Sequence, residues 1–157
     1  MITGDVTLGK SVKIYHPELV NLYGCVIGDN TRIASFVEIG RNVRIGKNCK
    51  IEAFAFIPEG VVIEDNVFVG PHACFTNDRL PRAASADGPL SEAEWSVEKT
   101  IVKSGASIGA NATILCGITI GHNSLIGAGS TVTKNVADDT TVVGNPARVI
   151  PNPKPKT

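Results

Sequence analysis

Large aliphatic residues recur along this chain at every sixth position. The spacing starts at Ile27 and continues to Phe75, and it resumes at Val102 and continues to Val132. Upstream, after a shift of one residue, the same spacing is met by Ile2, Leu8, Ile14 and Val20. An α-helix would place apolar residues three or four apart. The period therefore excludes a helical core and favours short strands joined by tight turns.

A second position repeats with the first. Four residues after each large residue stands a small or β-branched side chain, and glycine often follows the large residue directly. Glycine adopts turn conformations that other residues resist, and hexapeptide repeats of this kind indicate a β-helix. Three six-residue units then make one triangular coil, and coils stack about 4.8 Å apart. Residues 18 apart in the sequence are therefore expected to lie above one another.

The repeat is interrupted once, which predicts a long inserted loop at about 76–101. This segment is polar and contains Trp95, the one tryptophan of the chain. Such a loop is either functional or a passive excursion, and Trp95 is expected to anchor it. Downstream, VVGNPAR predicts a short strand and a turn. We expect one domain over 1–150 and an extended tail over 151–157, in which Lys154 and Lys156 serve solubility.

Composition narrows the class of protein. The chain has 157 residues, 43% hydrophobic but only 5% aromatic, so one domain with an aliphatic core is expected. Fifteen basic residues balance fifteen acidic ones, which argues against a nucleic-acid partner. The segment MITGDVTLGK lacks the basic stretch followed by an apolar stretch that would predict a signal peptide, and no apolar run approaches the roughly 20 residues needed to cross a bilayer. The four cysteines form no disulfide or zinc framework. These features predict a cytoplasmic protein with no membrane insertion and no metal.

Stacking at 18 residues places three residues in an outward column: Phe36, Phe54 and His72. Exposed aromatic residues in a row mark an interface or a ligand site. Contact with a ligand and packing between subunits of a trimer remain equal alternatives here. Of the three histidines, His72 is the candidate general base because it adjoins the loop.

Two further columns approach the point where the loop leaves the repeat. The same arithmetic aligns Arg41, Glu59 and Asn77 in one of them. The other consists of Glu38, Phe56 and Cys74. A polar cluster backed by aromatic residues suits a small-molecule site, whereas a solvated charge ladder would explain Arg41 and Glu59 equally well.

The repeat resembles the left-handed parallel β-helix of the hexapeptide-repeat acyltransferases, over nearly the whole chain. A narrower resemblance rests on FTND-x-x-PRA within residues 57–83, on LCGITIGHNSLIGAGSTVTKNV and on VVGNPAR. These segments look like the N-acetyltransferases that act on nucleotide-linked 3-amino sugars for bacterial surface polysaccharides (O-antigen or S-layer glycan). That resemblance implies a homotrimer, acetyl-CoA as donor, and as acceptor either a UDP-linked 3-amino glucuronate or a dTDP-linked 3-amino-3,6-dideoxyhexose.

Carried onto this chain, the resemblance sets Asn77 beside the reacting amine, with His72 as the rival base. An asparagine oxygen can accept an amine N–H and orient the nucleophile, and the departing thiolate of CoA can take the proton. Asp78 shapes the following turn or contacts substrate. The remaining acceptor-site candidates are Phe36, Glu38, Phe54, Glu59, Arg79 and Arg82.

The donor is expected where small residues stack and leave a groove for CoA. Gly109 and Ala110 recur one coil later as Gly127 and Ala128. Lys134 and Arg148 could meet phosphates, because a guanidinium matches phosphate oxygens in a fork. The alternative for the glycine and alanine positions is that they serve the turns of the coil.

Three other functions use the same scaffold. An O-acetyltransferase would need His72 as a stronger base, because a hydroxyl is a poorer nucleophile than an amine. A γ-type carbonic anhydrase needs three histidines around zinc, but His16 and His72 are expected at least three coils apart, and the chain has no H-x-x-x-x-H pair. A non-catalytic binding module would leave the FTND loop unexplained.

Overall fold

Strands of two or three residues make up nearly all the regular structure in the computed structural model, which describes residues 1–86, 88–91 and 96–152. Three sheets form the sides of a triangular β-helix, and their strands run parallel except for the last strand of the second sheet, which is antiparallel to its neighbour. The first sheet contains β1 (Thr7–Leu8), β4 (Val26–Ile27), β7 (Arg44–Ile45), β10 (Val61–Ile63), β15 (Thr100–Val102) and β18 (Thr119–Ile120). The second contains β2 (Lys13–Ile14), β5 (Arg32–Ile33), β8 (Lys50–Ile51), β11 (Phe68–Val69), β16 (Ser107–Ile108), β19 (Leu125–Ile126), β21 (Thr141–Val143) and β22 (Arg148–Ile150).

The third sheet, which flanks the candidate site, runs alongside these two. It contains β3 (Asn21–Leu22), β6 (Glu38–Ile39), β9 (Phe56–Ile57), β12 (Cys74–Phe75), β17 (Thr113–Ile114) and β20 (Thr131–Val132). A small hairpin, β13 (Ala84–Ser85) with β14 (Gly88–Pro89), lies within the loop. The all-β, parallel β-helix expected from the hexad spacing is confirmed.

The core is the stack of large residues at every sixth position. Each strand of the central coils turns one such residue inward, and Ile33, Ile39 and Ile57 are all 0% exposed. The small or β-branched residues of the second position, such as Val37 and Ala55, are buried beside them. Burying one aliphatic side chain of this size contributes about 1.5–3 kcal/mol, so successive coils stabilise one another as in other solenoids.

The register is regular in the middle of the helix and irregular at its beginning. Central coils repeat every 18 residues, as in the pairing of Asn30 with Asn48. In the first coil, however, Leu22 pairs with Ile39, and Val20 instead occupies the smaller second position. The prediction that Val20 belongs to the large-residue frame is therefore wrong. A 3₁₀ turn at Pro17–Leu19 lengthens this part of the chain and shifts the frame.

Corner residues explain why asparagine is frequent between strands. Asn30, Asn48 and Asn66 have φ near +60°, in the left-handed region that asparagine tolerates better than most residues. Their side-chain amides also bond from coil to coil, at 3.3 Å and 3.2 Å. The corners are thus held both by backbone conformation and by a ladder of side-chain hydrogen bonds.

The inserted loop begins after β12 and ends at β15, so it spans residues 76–99 rather than 76–101. It lengthens one coil to 39 residues, as in the ion pair between Glu64 and Lys103. Trp95, the predicted anchor, lies outside the described residues. No helix within the described ranges is long and apolar enough to cross a membrane.

The last coil closes with an antiparallel hairpin formed by β21 and β22, which agrees with the strand and turn predicted for VVGNPAR. Beyond it, Asn152 is bonded to the hydroxyl of Thr141 and to the carbonyl of Asp139. Lys154 and Lys156, the predicted solubilising residues of the tail, lie outside the described residues.

Candidate functional site

The third sheet has a different set of side chains along each of its two edges. Two residues before its strands lie Phe36, Phe54 and His72, which we call the aromatic corner. Two residues after the same strands lie Arg41, Glu59 and Asn77, which we call the polar corner. The strands β6, β9 and β12 separate the two corners, so each corner must be considered separately.

The aromatic corner is a continuous stack of rings. The Phe36 and Phe54 centroids are 4.7 Å apart, and those of Phe54 and His72 are 4.6 Å apart with an interplanar angle of 6°. The two phenylalanines remain 50% and 48% exposed, which confirms that this column points outward. All three residues have φ of 59–64°, a conformation that is rare for bulky side chains.

Between the corners, the outer face of the third sheet carries Glu38, Phe56 and Cys74, paired in register across β6, β9 and β12. The hydroxyl of Tyr23 donates a hydrogen bond of 3.2 Å to Glu38. Burial, followed by the negative charge of Glu38, raises the pKa of Tyr23, so this hydroxyl is a donor at neutral pH. Burial likewise raises the pKa of the half-buried Cys74 thiol.

The polar corner opens into a pocket of about 350 Å³. Its lining consists of Tyr23, Gly40, Arg41, Phe56, Pro58, Glu59 and Asn77. Glu59 accepts a 2.7 Å hydrogen bond from the Asn42 amide, which ties its carboxylate to the scaffold. Arg41 is exposed and Asn77 is half-buried. The predicted convergence of this column on the loop is observed, with a cation, a carboxylate and a primary amide around one cavity.

The two predicted catalytic residues do not lie together in one chain. His72 belongs to the aromatic corner, and Asn77 to the polar corner on the other side of β12. An extended chain rises about 3.3 Å per residue, so their Cα atoms are separated by up to about 16 Å. Among the described residues, the side-chain amide of Asn77 has no hydrogen-bond partner, and Asn77 lines the pocket.

The loop residues after Asn77 have separate structural tasks. Asp78 accepts a 2.9 Å hydrogen bond from the N–H of Leu80, which is the turn role predicted for it. Arg79 is engaged by Glu98, at 3.0 Å and 3.2 Å, and by the carbonyl of Cys116 at 3.2 Å. Arg82 is exposed. Of the two cations predicted to meet a diphosphate or a carboxylate, Arg79 is already paired within the fold.

The donor-site candidates divide between the same two corners. Gly109, Ala110, Gly127 and Ala128 continue the aromatic corner towards the C-terminus. A Cβ added at Gly109 would collide with the backbone of Ala128, and one added at Gly127 would collide with Val143. Glycine at these two positions therefore permits the close approach of neighbouring coils. Contact of the four residues with CoA stays a prediction.

Lys134 and Arg148 line one cavity of about 270 Å³, with Thr133, Asn135 and Ala147 among its other walls. Lys134 follows β20 by two residues, as Asn77 follows β12, so this cavity continues the polar corner. Two exposed cations beside one cavity suit a polyanionic ligand. No cluster of metal-ligating side chains occurs in the described ranges.

Sequence reasoning missed two parts of this site. The 18-residue spacing does not predict the position of Tyr23, because the irregular first coil shifts its register. Pro17, which begins the 3₁₀ turn, is the one sequence signal that indicates this irregularity. The spacing does not predict the position of Glu98 either, because nothing in the sequence shows where a long loop returns. The columns of residues 18 apart can be predicted from the sequence, because their alignment depends only on the repeat.

The comparisons agree with the fold. The family model described as bacterial transferase hexapeptide (six repeats) matches residues 42–77 and 99–134. Both matched segments of this chain consist of hexapeptide repeats. The fold of these repeats is the left-handed β-helix that the resemblance implies. The inserted loop lies between the two matched segments.

Relatives of this chain include one amino-sugar N-acetyltransferase. The chain is 53% identical over 51 residues to the dTDP-3-amino-3,6-dideoxy-alpha-D-galactopyranose 3-N-acetyltransferase of Aneurinibacillus thermoaerophilus, covering 32% of this chain and 27% of that one. It is 30% identical over 126 residues to the bifunctional protein GlmU of Brevibacillus brevis, covering 80% of this chain and 24% of that one. The chain thus spans about a quarter of the length of these curated relatives.

Among solved structures, a point mutant of AntD, an N-acyltransferase from Bacillus cereus in complex with dTDP and coenzyme A, matches with a TM-score of 0.73 and 27% identity. The match covers 94% of the hexapeptide-repeat chain and 84% of AntD. An acetyltransferase from Vibrio cholerae complexed with acetyl-CoA, VCA0836, matches with a TM-score of 0.65 and 27% identity over 87% of this chain and 73% of that one.

Proposed function

We propose that the protein is an acetyl-CoA-dependent N-acetyltransferase that acts on the 3-amino group of a nucleotide-diphosphate-linked sugar. Its product would serve the synthesis of bacterial surface polysaccharides, as O-antigen or S-layer glycan precursor. The observation that carries the proposal is the side-chain amide of Asn77, which has no hydrogen-bond partner among the described residues and belongs to a pocket that Arg41 also lines, where the inserted loop begins. The relative from Aneurinibacillus and the dTDP and coenzyme A bound to AntD support this choice.

The acceptor fits the polar corner. Arg41 supplies a cation for the diphosphate, and Phe56 adds an aromatic residue to the lining of the same pocket. Glu38 and Glu59 offer carboxylates to the sugar hydroxyls, since each uses one oxygen for an internal hydrogen bond. We assign the 3-amino group to Asn77, whose side-chain oxygen accepts an amine N–H and so aims the nitrogen lone pair.

The donor fits the cavity beside Lys134 and Arg148, whose cations would hold the phosphates of CoA. Bound acetyl-CoA supplies the thioester, and its departing thiolate supplies the acceptor for the amine proton. The amine nitrogen forms the new amide bond as the carbon–sulfur bond breaks, so no protein base is required. Asn77 contributes orientation, and its N–H₂ group is a donor for developing negative charge on the carbonyl oxygen.

A homotrimer in the cytoplasm completes the proposal. The aromatic corner and the polar corner lie on opposite edges of one sheet, so a site that uses both needs a second copy of the chain. Phe36, Phe54 and His72 would then face the polar corner of a neighbouring subunit. Light scattering on the purified protein would measure the assembly, and a monomer would remove this part of the proposal.

The test of the reaction is a mass-spectrometric acetylation screen. The purified protein is incubated with acetyl-CoA and a panel of uridine- and thymidine-linked 3-amino and 4-amino sugars. We expect a single 3-amino sugar to gain one acetyl mass. Acetylation of 4-amino sugars alone would correct the acceptor position. No product in the presence of measurable CoA binding would redirect the proposal to a hydroxyl acceptor with His72 as base.

A further inference from the structure

The residues on both sides of Asn77 are fastened to one residue of the next coil. The hydroxyl oxygen of Thr76 accepts a 3.0 Å hydrogen bond from the N–H of Cys116, and Arg79 donates a 3.2 Å hydrogen bond to the carbonyl of Cys116. Cys116 is buried, so both hydrogen bonds are made to a residue that belongs to the β-helix rather than to the loop. Asn77 therefore lies on a short segment whose two ends are both anchored to the same residue of the scaffold.

A third fastening comes from the returning end of the loop. The N–H of Glu98 donates a 2.9 Å hydrogen bond to the carbonyl of Asn77 itself. Arg79 donates hydrogen bonds to the carboxylate of Glu98 from its Nε and Nη2 atoms, at 3.2 Å and 3.0 Å. A guanidinium that grips a carboxylate with two parallel donors fixes direction as well as distance. Arg79 and Glu98 thus join the departing and returning ends of the loop around Asn77.

The scaffold leaves room for this arrangement. Gly117 follows Cys116, and a Cβ there would collide with the Glu98 carboxylate and the Arg79 guanidinium. Gly60 lies on the neighbouring coil, and a Cβ there would collide with Val97. Both glycines have positive φ, of 74° and 93°. The missing side chains provide the space in which the two loop ends approach the β-helix.

We propose that Arg79 and Glu98 are positioning residues that hold Asn77 in its catalytic orientation, and that Arg79 is not a substrate-binding cation. The inference rests on the proposed function. Arg79 directs its donors to Glu98 and Cys116, whereas Arg41 lines the pocket and has no such ion pair within the described part of the chain. The anionic groups of the acceptor therefore meet Arg41, and Arg79 acts only through Asn77.

Steady-state kinetics of four variants separate the two roles of Arg79. With acetyl-CoA and the 3-amino sugar found in the screen, Arg79→Ala and Glu98→Ala are each expected to lower kcat by up to about 100-fold, the cost of a small misplacement of a reacting group. KM for the sugar nucleotide is expected to stay unchanged. The double variant should lose no more than either single one, because both remove the same clamp. Glu98→Gln, which keeps an acceptor oxygen, should recover part of kcat.

The contrary results are equally defined. A Glu98→Ala variant with the kcat of the wild type, or an Arg79→Ala variant that raises KM alone, would overturn the positioning role and make Arg79 an anion contact. Glu52→Ala serves as the matched control, since Glu52 pairs with Lys50 at 2.7 Å directly after β8 and lies outside the inserted loop. It is expected to leave kcat unchanged.

Amide hydrogen exchange provides a readout that does not depend on turnover. The Glu98 amide should exchange faster in Arg79→Ala than in the wild type or in Glu52→Ala, and unchanged protection would overturn the clamp. Global unfolding of a variant would appear as faster exchange throughout the core. In that case the kcat of Glu98→Gln would be the deciding measurement for the positioning role. A wild-type protein that acetylates no amino sugar would instead overturn the proposed function, and the positioning role with it.

Discussion

The aromatic and polar corners occupy equivalent places at the two ends of the same strands, yet they are built in opposite ways. At the aromatic corner, side chains satisfy one another by stacking, with ring centroids 4.6–4.7 Å apart. At the polar corner, the backbone carbonyl of Asn77 accepts a hydrogen bond, whereas its side-chain amide has no hydrogen-bond partner within the described part of the chain. A repeat scaffold can therefore carry self-sufficient columns and open ones side by side, and the open column is where chemistry is expected.

The largest expected difference between the corners is in catalysis. Asn77→Ala should lower kcat by about 10²–10³-fold, the usual cost of removing one preorganised polar group from a transition state. His72→Ala should leave kcat close to that of the wild type, because the departing thiolate of CoA takes the amine proton and no protein base is required, while His72 is stacked on Phe54. Steady-state kinetics on both variants make the test, with circular dichroism to confirm folding. The reverse ranking would identify His72 as a base and favour a hydroxyl acceptor.

The next expected effect is on acceptor binding at the polar corner. Arg41→Ala should raise KM for the sugar nucleotide by roughly 10-fold or more, since a hydrogen bond to a charged group is worth about 1.5–3 kcal/mol. Because the diphosphate is bound equally in ground and transition states, kcat should change little. Initial-rate kinetics at saturating acetyl-CoA measure both constants. An unchanged KM would place the diphosphate elsewhere, with Arg82 as the next cation to replace.

A smaller, chemical effect concerns the face between the corners. Cys74 is half-buried, whereas Cys25, Cys49 and Cys116 are buried. Only the thiolate reacts with iodoacetamide. Because burial raises the pKa of the Cys74 thiol, alkylation should be slow at neutral pH and should accelerate only as the pH rises above the usual thiol value. Peptide mass spectrometry should find Cys74 modified first, and bound sugar nucleotide should slow this modification. A rate unaffected by ligand would mean that the acceptor does not cover this face.

The smallest expected effect is on stability at the aromatic corner. Phe54→Ala should lower the free energy of unfolding by about 0.5–1.5 kcal/mol, because the ring stacking is lost. The alanine keeps the left-handed backbone conformation, which costs an L-residue about 1–2 kcal/mol. Phe54→Gly loses the same contacts but relieves that conformation, so it should be the more stable of the two variants in urea unfolding. Phe56 is the matched control, because it lies in β9 with an extended backbone. At position 56, the glycine variant should be less stable than the alanine variant. If the two variants had the same order of stability at positions 54 and 56, the strain argument would be refuted.

Much of the candidate site can be predicted because it follows from the repeat. Stacking arithmetic aligns Phe36, Phe54 and His72, and their rings do stack. The same arithmetic aligns Arg41, Glu59 and Asn77, which line one pocket. The sequence also shows that His72 and Asn77 are separated, because five residues of extended chain lie between their positions. The family resemblance assigns a catalytic role to both residues, and this draws attention away from their separation.

The spacing of large aliphatic residues is enough to establish a β-helix, its core ladder and the position of its loop, because each coil buries its side chains only against the coils next to it. Such nearest-neighbour packing can be read along the chain. The shift from Val20 to Leu22, the pairing of Arg79 with Glu98 and the anchoring at Cys116 were decided only in three dimensions. These contacts join segments that no period relates, so they depend on where a turn lengthens the chain and on where a long loop returns.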